Sequence, residues 1–95
     1  MLTLPDVLAP VPGVVSRESD GELVVVLPTA GKFIVLNPTG AEAFALVNGE
    51  RTLGEISAML SERHDVPRER TDADVLALGE KLLDRGAVFL PRRSG

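Results

Sequence analysis

Phe33-Ile34-Val35-Leu36-Asn37-Pro38-Thr39-Gly40-Ala41 is the stretch where the chain changes its period. Its first four residues are apolar and partly β-branched and follow a turn, as a strand's would. Asn37 then offers a side-chain oxygen to cap a helix. Pro38 suits the first helical position, where a missing N–H costs nothing. A strand ends and a helix begins within two residues, so the chain divides into a β half before this junction and an α half after it.

Working backwards, Pro28-Thr29-Ala30-Gly31-Lys32 reads as a turn, and Glu22-Leu23-Val24-Val25-Val26-Leu27 as a largely buried strand. Asp20-Gly21 is a tight-turn signal, preceded by a short strand at Val14-Val15-Ser16-Arg17-Glu18. Loops this short favour an antiparallel meander. Residues 1–13 hold Pro5, Pro10 and Pro12, which disfavour helix and give an arm of extended or polyproline backbone.

Working forwards, the helix opened by Pro38 carries Ala41, Phe44, Ala45 and Val47 and stops near Asn48-Gly49. Thr52-Leu53-Gly54-Glu55 is a capping box. It opens a second helix with Ile56, Met59 and Leu60 on one face, ending around His64-Asp65. Residues 66–70 read as a polar connector. Thr71 or Asp72 is expected to cap a third helix from Asp72 to Arg85, with Gly86 ending it. Ala87 to Leu90 is an apolar tail. The expected fold is α+β, a three-stranded antiparallel sheet followed by three helices, arranged like a winged helix-turn-helix. Its expected parts are an arm (1–13), a domain (14–90) and a polar tail (91–95).

Composition removes most functional classes. The chain has 95 residues, no cysteine, one histidine and a net charge of −4. Disulfide scaffolds, thiol nucleophiles and cysteine-ligated metals are excluded, and a single histidine cannot build a multi-histidine site. No apolar run approaches the ~20 residues of a membrane span, and the prolines and Asp6 of the first fifteen residues do not suit a signal peptide. The expected location is the cytoplasm. His64 sits at a helix end beside Asp65, the serines lack a nucleophile elbow, and Gly31-Lys32 lies between strands without the upstream glycine of a phosphate loop. No catalytic residue, metal ligand or cofactor is expected. A winged-helix DNA-binding regulator is the alternative of another class. It is disfavoured because Lys81 and Arg85 of the third helix are opposed by Asp72, Asp74, Glu80 and Asp84.

Two surfaces exceed what a packed monomer needs. In a meander the third strand, Phe33 to Leu36, lies at an edge with unpaired backbone groups and no charge of its own to discourage pairing. The third helix carries an apolar stripe of two rows at 100° per residue, Val75, Leu78 and Leu82 beside Leu76, Gly79 and Leu83. One row fills the core and the other needs a second surface. An extended peptide added on Phe33, Ile34, Val35 and Leu36 would face Leu76, Gly79 and Leu83, with Val75 and Leu82 shared with the core. The same exposed edge also leaves a homodimer open.

The run from Gly31 to Ala41, the stretch Asn48-Gly49-Glu50-Arg51-Thr52-Leu53-Gly54-Glu55-Ile56, and the later Asp74-Val75 with Leu82-Leu83-Asp84-Arg85-Gly86-Ala87-Val88 resemble the PqqD-like family. The resemblance implies a non-catalytic recognition element, a chaperone holding the leader of a ribosomally made precursor peptide as an added strand. Such elements use the third strand and third helix and present the peptide to modifying enzymes. Leu36-Asn37-Pro38-Thr39-Gly40-Ala41 looks most like the stand-alone recognition proteins of lasso peptide clusters, which implies a leader peptidase and a cyclase as partners. The alternative is a pyrroloquinoline quinone chaperone delivering its precursor to a radical SAM enzyme. Such chaperones typically have a Trp in the first strand and a Tyr-Pro-Glu-Gly turn, where this chain has Val14-Val15-Ser16-Arg17 and Pro28-Thr29-Ala30-Gly31. Lasso-type members usually carry an aromatic pair where this chain has Phe33-Ile34.

Overall fold

A computed structural model describes residues 1–28 and 31–91. The β half is a sheet of three antiparallel strands in the order β2 (Val15–Ser19), β3 (Glu22–Val26) and β4 (Phe33–Leu36). Short strand β1 (Ala9–Pro10) precedes it, and the helices α1 (Pro38–Leu46), α2 (Leu53–His64) and α3 (Arg68–Arg85) follow, before β5 (Val88–Phe89). This is the expected meander followed by three helices. The turn expected over residues 28–32 includes Thr29 and Ala30, and the polar tail includes Arg92 to Gly95. Those six positions lie outside the described residues.

The hairpin joining β2 and β3 turns at Asp20 and Gly21, both at positive φ (51° and 82°). That is the two-residue turn whose twist matches the flanking strands. The sheet packs by one face only. Val25, Ile34 and Leu36 point inwards and are buried, whereas Val15, Val26, Phe33 and Val35 stand exposed on the outer face. Helix α1 is capped as expected, with the Asn37 side chain accepting from the Gly40 N–H at 2.7 Å. The capping box of α2 is complete: Thr52 accepts from the Glu55 N–H at 3.0 Å, and Glu55 from the Thr52 N–H at 2.7 Å.

Two expectations are corrected. Helix α3 begins at Arg68, not at Asp72, so most of the expected connector is its first turn. Arg68, Glu69 and Arg70 are able helix formers, and Thr71 and Asp72 are not caps. The Thr71 hydroxyl donates to the Arg68 carbonyl at 3.2 Å and lies 2.7 Å from Ser57 Oγ. The Asp72 carboxylate accepts from both Ser57 and Arg68. These polar groups join α3 to fully buried Ser57 of α2.

The segment from Ala87 is likewise more than a tail, because Val88–Phe89 pairs with Ala9–Pro10 of the arm. The arm is part of the core. Its backbone accepts from three N–H groups around the start of α2: Gly49 to Leu8, Leu53 to Asp6 and Gly54 to Leu4, at 3.0, 2.9 and 2.8 Å. Leu2 and Leu8 are buried against α3, and the Leu2 N–H donates to Glu80 Oε2 at 2.6 Å. Among the described residues, no helix is long and apolar enough to cross a membrane.

Candidate functional site: the cleft between β4 and α3

Backbone alternation determines which groups of β4 are free. Leu27 donates to the Lys32 carbonyl at 3.0 Å, and the register pairs Val25 with Ile34 and Leu23 with Leu36. In an antiparallel ladder hydrogen-bonded pairs occur at every second position. Ile34 and Leu36 therefore bond into β3, while the N–H and C=O groups of Phe33 and Val35 point to the open edge. The side chains divide in the same way: Ile34 and Leu36 are buried in the core, and Phe33 and Val35 are exposed.

Across that edge lies α3, with the start of β4 opposite Asp84 and Arg85 and its end opposite Asp74 to Leu78, and the two do not pack directly on each other. Each end of the gap has its own pocket. One, of about 240 Å³, lies where β4 gives way to α1 and is lined by Asn37, Thr39 and Gly40 opposite Asp74, Val75, Ala77 and Leu78, with Ala43 and Leu60 beneath. The other brings Leu27, Lys32 and Phe33 opposite Asp84 and Arg85. The first pocket is mainly apolar with one carboxylate, Asp74, in its lining, and the second has charges of both signs beside Phe33. Main-chain donors and acceptors on one wall and side-chain pockets on the other suit an extended peptide segment.

The helix face on this cleft is not the one expected. Gly79 is buried on the opposite side, where an added Cβ would stand 2.9 Å from Leu2 Cδ1 and 3.3 Å from Leu8 Cδ1. At 100° per residue Leu76 and Leu83 fall on the Gly79 side, half-buried against the core, and Leu82 is fully buried. Of the five helix residues expected to contact a peptide, only Val75 lines a cleft pocket. The other helix residues lining the cleft, Asp74, Ala77, Leu78, Asp84 and Arg85, were not among those expected. Ala77 and Leu78 follow Asp74 by three and four residues, and Asp84 and Arg85 follow them by seven, so the five form a strip along the boundary between the apolar and polar sides of α3. The arm hides it, since its Leu2 and Leu8 supply the second surface that the Gly79 row needed.

A separate charge cluster fastens α1 to α2. Glu42 accepts from Arg63 at 2.9 Å and contacts His64 Nε2 at 2.6 Å. The Arg63 hydrogen bond, then that of His64, holds the Glu42 carboxyl below its ordinary value of 4.5. Among the described residues, no three histidine or carboxylate side chains gather to hold a metal ion.

Comparison with known proteins gives a consistent picture. The family profile described as Coenzyme PQQ synthesis protein D (PqqD) matches residues 22–88. A protein of Bradyrhizobium diazoefficiens named PqqA binding protein is 40% identical over 45 residues, 47% of this chain and 44% of that protein. The match thus spans less than half of that relative's length. The solution structure of the PqqD part of Methylobacterium extorquens PqqCD, described as a stand-alone recognition element for ribosomally made, modified peptides, superposes with a TM-score of 0.81. It has 21% identity over 94% of this chain and 95% of that one. Lasso peptide synthetase B1 complexed with the leader peptide superposes with a TM-score of 0.76, at 20% identity over 86% and 96% of the two chains. At these identities the two superpositions establish the fold.

Proposed function

Since the chain belongs to the PqqD family, we propose that it binds the leader segment of a ribosomally made precursor peptide and presents it to modifying enzymes. The observation that carries this reading is the open edge of β4, whose Phe33 and Val35 backbone groups face α3 across a gap with a pocket at each end. A leader strand added there takes affinity from main-chain hydrogen bonds, and its alternate side chains reach the pockets. Phe33, Val35, Val75, Ala77 and Leu78 make the contacts, while Ile34, Leu36 and Leu82 hold the walls from the core. The names of the relatives, a PqqA binding protein and a synthetase subunit bound to a leader, support the same role. The chain's part is delivery, and the chemistry belongs to the enzymes that take the peptide.

Within this reading the product class is a lasso peptide, with a leader peptidase and cyclase downstream, supported by the Leu36-to-Ala41 junction. The PqqA binding protein match favours a second reading, delivery to a radical SAM enzyme in quinone cofactor synthesis. The leader that binds separates them.

Calorimetric titration with synthetic leaders, taken from the small open reading frames beside the gene, tests the proposal. One leader binds, and Ala77→Glu, which places a charged side chain in the apolar pocket, weakens binding at least about tenfold. The circular dichroism spectrum is unchanged. Equal affinity in the variant contradicts the assignment of the cleft.

A further inference from the structure

A broad cleft lies at the edge of the sheet opposite β4, between β2 and α1. Every residue of β2 is exposed. Its register pairs Glu18 with Leu23 and Ser16 with Val25, which puts Ser16 and Glu18 on the face turned towards the helices. Helix α1 does not close over that face. The space left between them is an open groove of about 620 Å³. Leu23 and Phe44 supply an apolar lining, Ala41 and Ala45 keep the α1 wall low, and among the described residues the charged ones lining it are Glu18 and Glu42. Arg63 and His64 already hold Glu42. Glu18 makes no ion pair among the described residues. A core-side strand face with a carboxylate and no cover suits an apolar segment that brings a cation.

We propose that the cleft between the β2–β3 hairpin and α1 docks a short segment of a partner protein with alternating apolar and cationic side chains. Apolar residues enter over Leu23 and Phe44, and an arginine or lysine meets Glu18. Because β2 and β4 are opposite edges of the sheet, this cleft and the β4–α3 cleft can be filled at once. The proposal does not rest on the leader reading, since neither cleft lends the other a residue.

The test uses the whole chain, isotope-labelled, titrated with acetyl-Leu-Arg-Leu-Arg-Leu-amide and separately with acetyl-Leu-Glu-Leu-Glu-Leu-amide. The arginine peptide is expected to shift the amide signals of Ser16, Glu18, Leu23, Ala41 and Ala45. The glutamate peptide leaves them in place. Glu18→Lys, on an exposed strand position outside the β4–α3 cleft, weakens arginine-peptide binding by about tenfold. Equal shifts from both peptides, shifts confined to β4 and α3, no shifts, or unchanged affinity in Glu18→Lys would each overturn the proposal.

Discussion

One backbone N–H, that of Val35, separates the peptide-binding reading from a merely stable sheet. It points to the open edge, whereas the N–H of Ile34 points into the ladder with Val25. Val35→Pro is therefore expected to keep the fold and lose most leader affinity, because proline removes the donor and restrains the edge. Ile34→Pro is expected to unfold the domain by breaking an internal ladder bond. Circular dichroism with calorimetric titration separates the two, and an unfolded Val35→Pro protein would mean that the edge parity is reversed. Gly79 gives the opposite case. An alanine Cβ would press on the terminal methyls of Leu2 and Leu8 while improving helix propensity by about 1 kcal/mol, and the two effects oppose each other, so Gly79→Ala is expected to change stability little. Leader affinity should also be unaltered. A loss of affinity at constant melting temperature would return Gly79 to the peptide cleft.

The arm and the α1–α2 clamp are tested as elements. Leu2 and Leu8 are buried at 5% and 1% exposure, and truncating a buried leucine costs about 2–5 kcal/mol. Since domains of this kind are stable by roughly 5–15 kcal/mol in total, Leu8→Ala should lower the melting temperature markedly. Deleting residues 1–8 should leave a chain that does not fold cooperatively. A truncated protein melting at the full-length temperature would make the arm an ornament. The Glu42 clamp has a pH signature. Its carboxyl is held below 4.5 in the folded state, so its contribution is present above that value and is lost as pH falls through the lowered one. Glu42→Gln should flatten the acid side of the stability profile in urea denaturation.

Element identity was largely legible because its signals are local. The Asn37-Pro38 junction, the Asp20-Gly21 turn and the Thr52–Glu55 box each specify backbone within four residues. The start of α3 was not legible, because Thr71 and Asp72 have the chemistry of caps and only the fold shows that they are spent on Ser57. The open edge of β4 followed from strand order. The helix face opposite it did not, because an apolar stripe says how much surface is buried without saying by what. Leu2 and Leu8 of a proline-rich arm cover the Gly79 row, which turns the Leu78 row to the cleft.

At the scale of the whole molecule, the surface divides into two clefts on opposite edges of the sheet. The proposed leader site is the β4 edge with α3, the proposed partner-segment site is the hairpin with α1, and the arm locks α3 to α2 behind both. The central claim is the first of these. An NMR titration of labelled protein with the leader from the neighbouring open reading frame tests it most directly. Slow-exchange or large shifts are expected at Phe33, Val35, Asn37, Ala77 and Leu78, with Gly79 and Leu83 moving little. Shifts centred on Leu76, Gly79 and Leu83, or on the outer sheet face at Val15 and Val26, would contradict it.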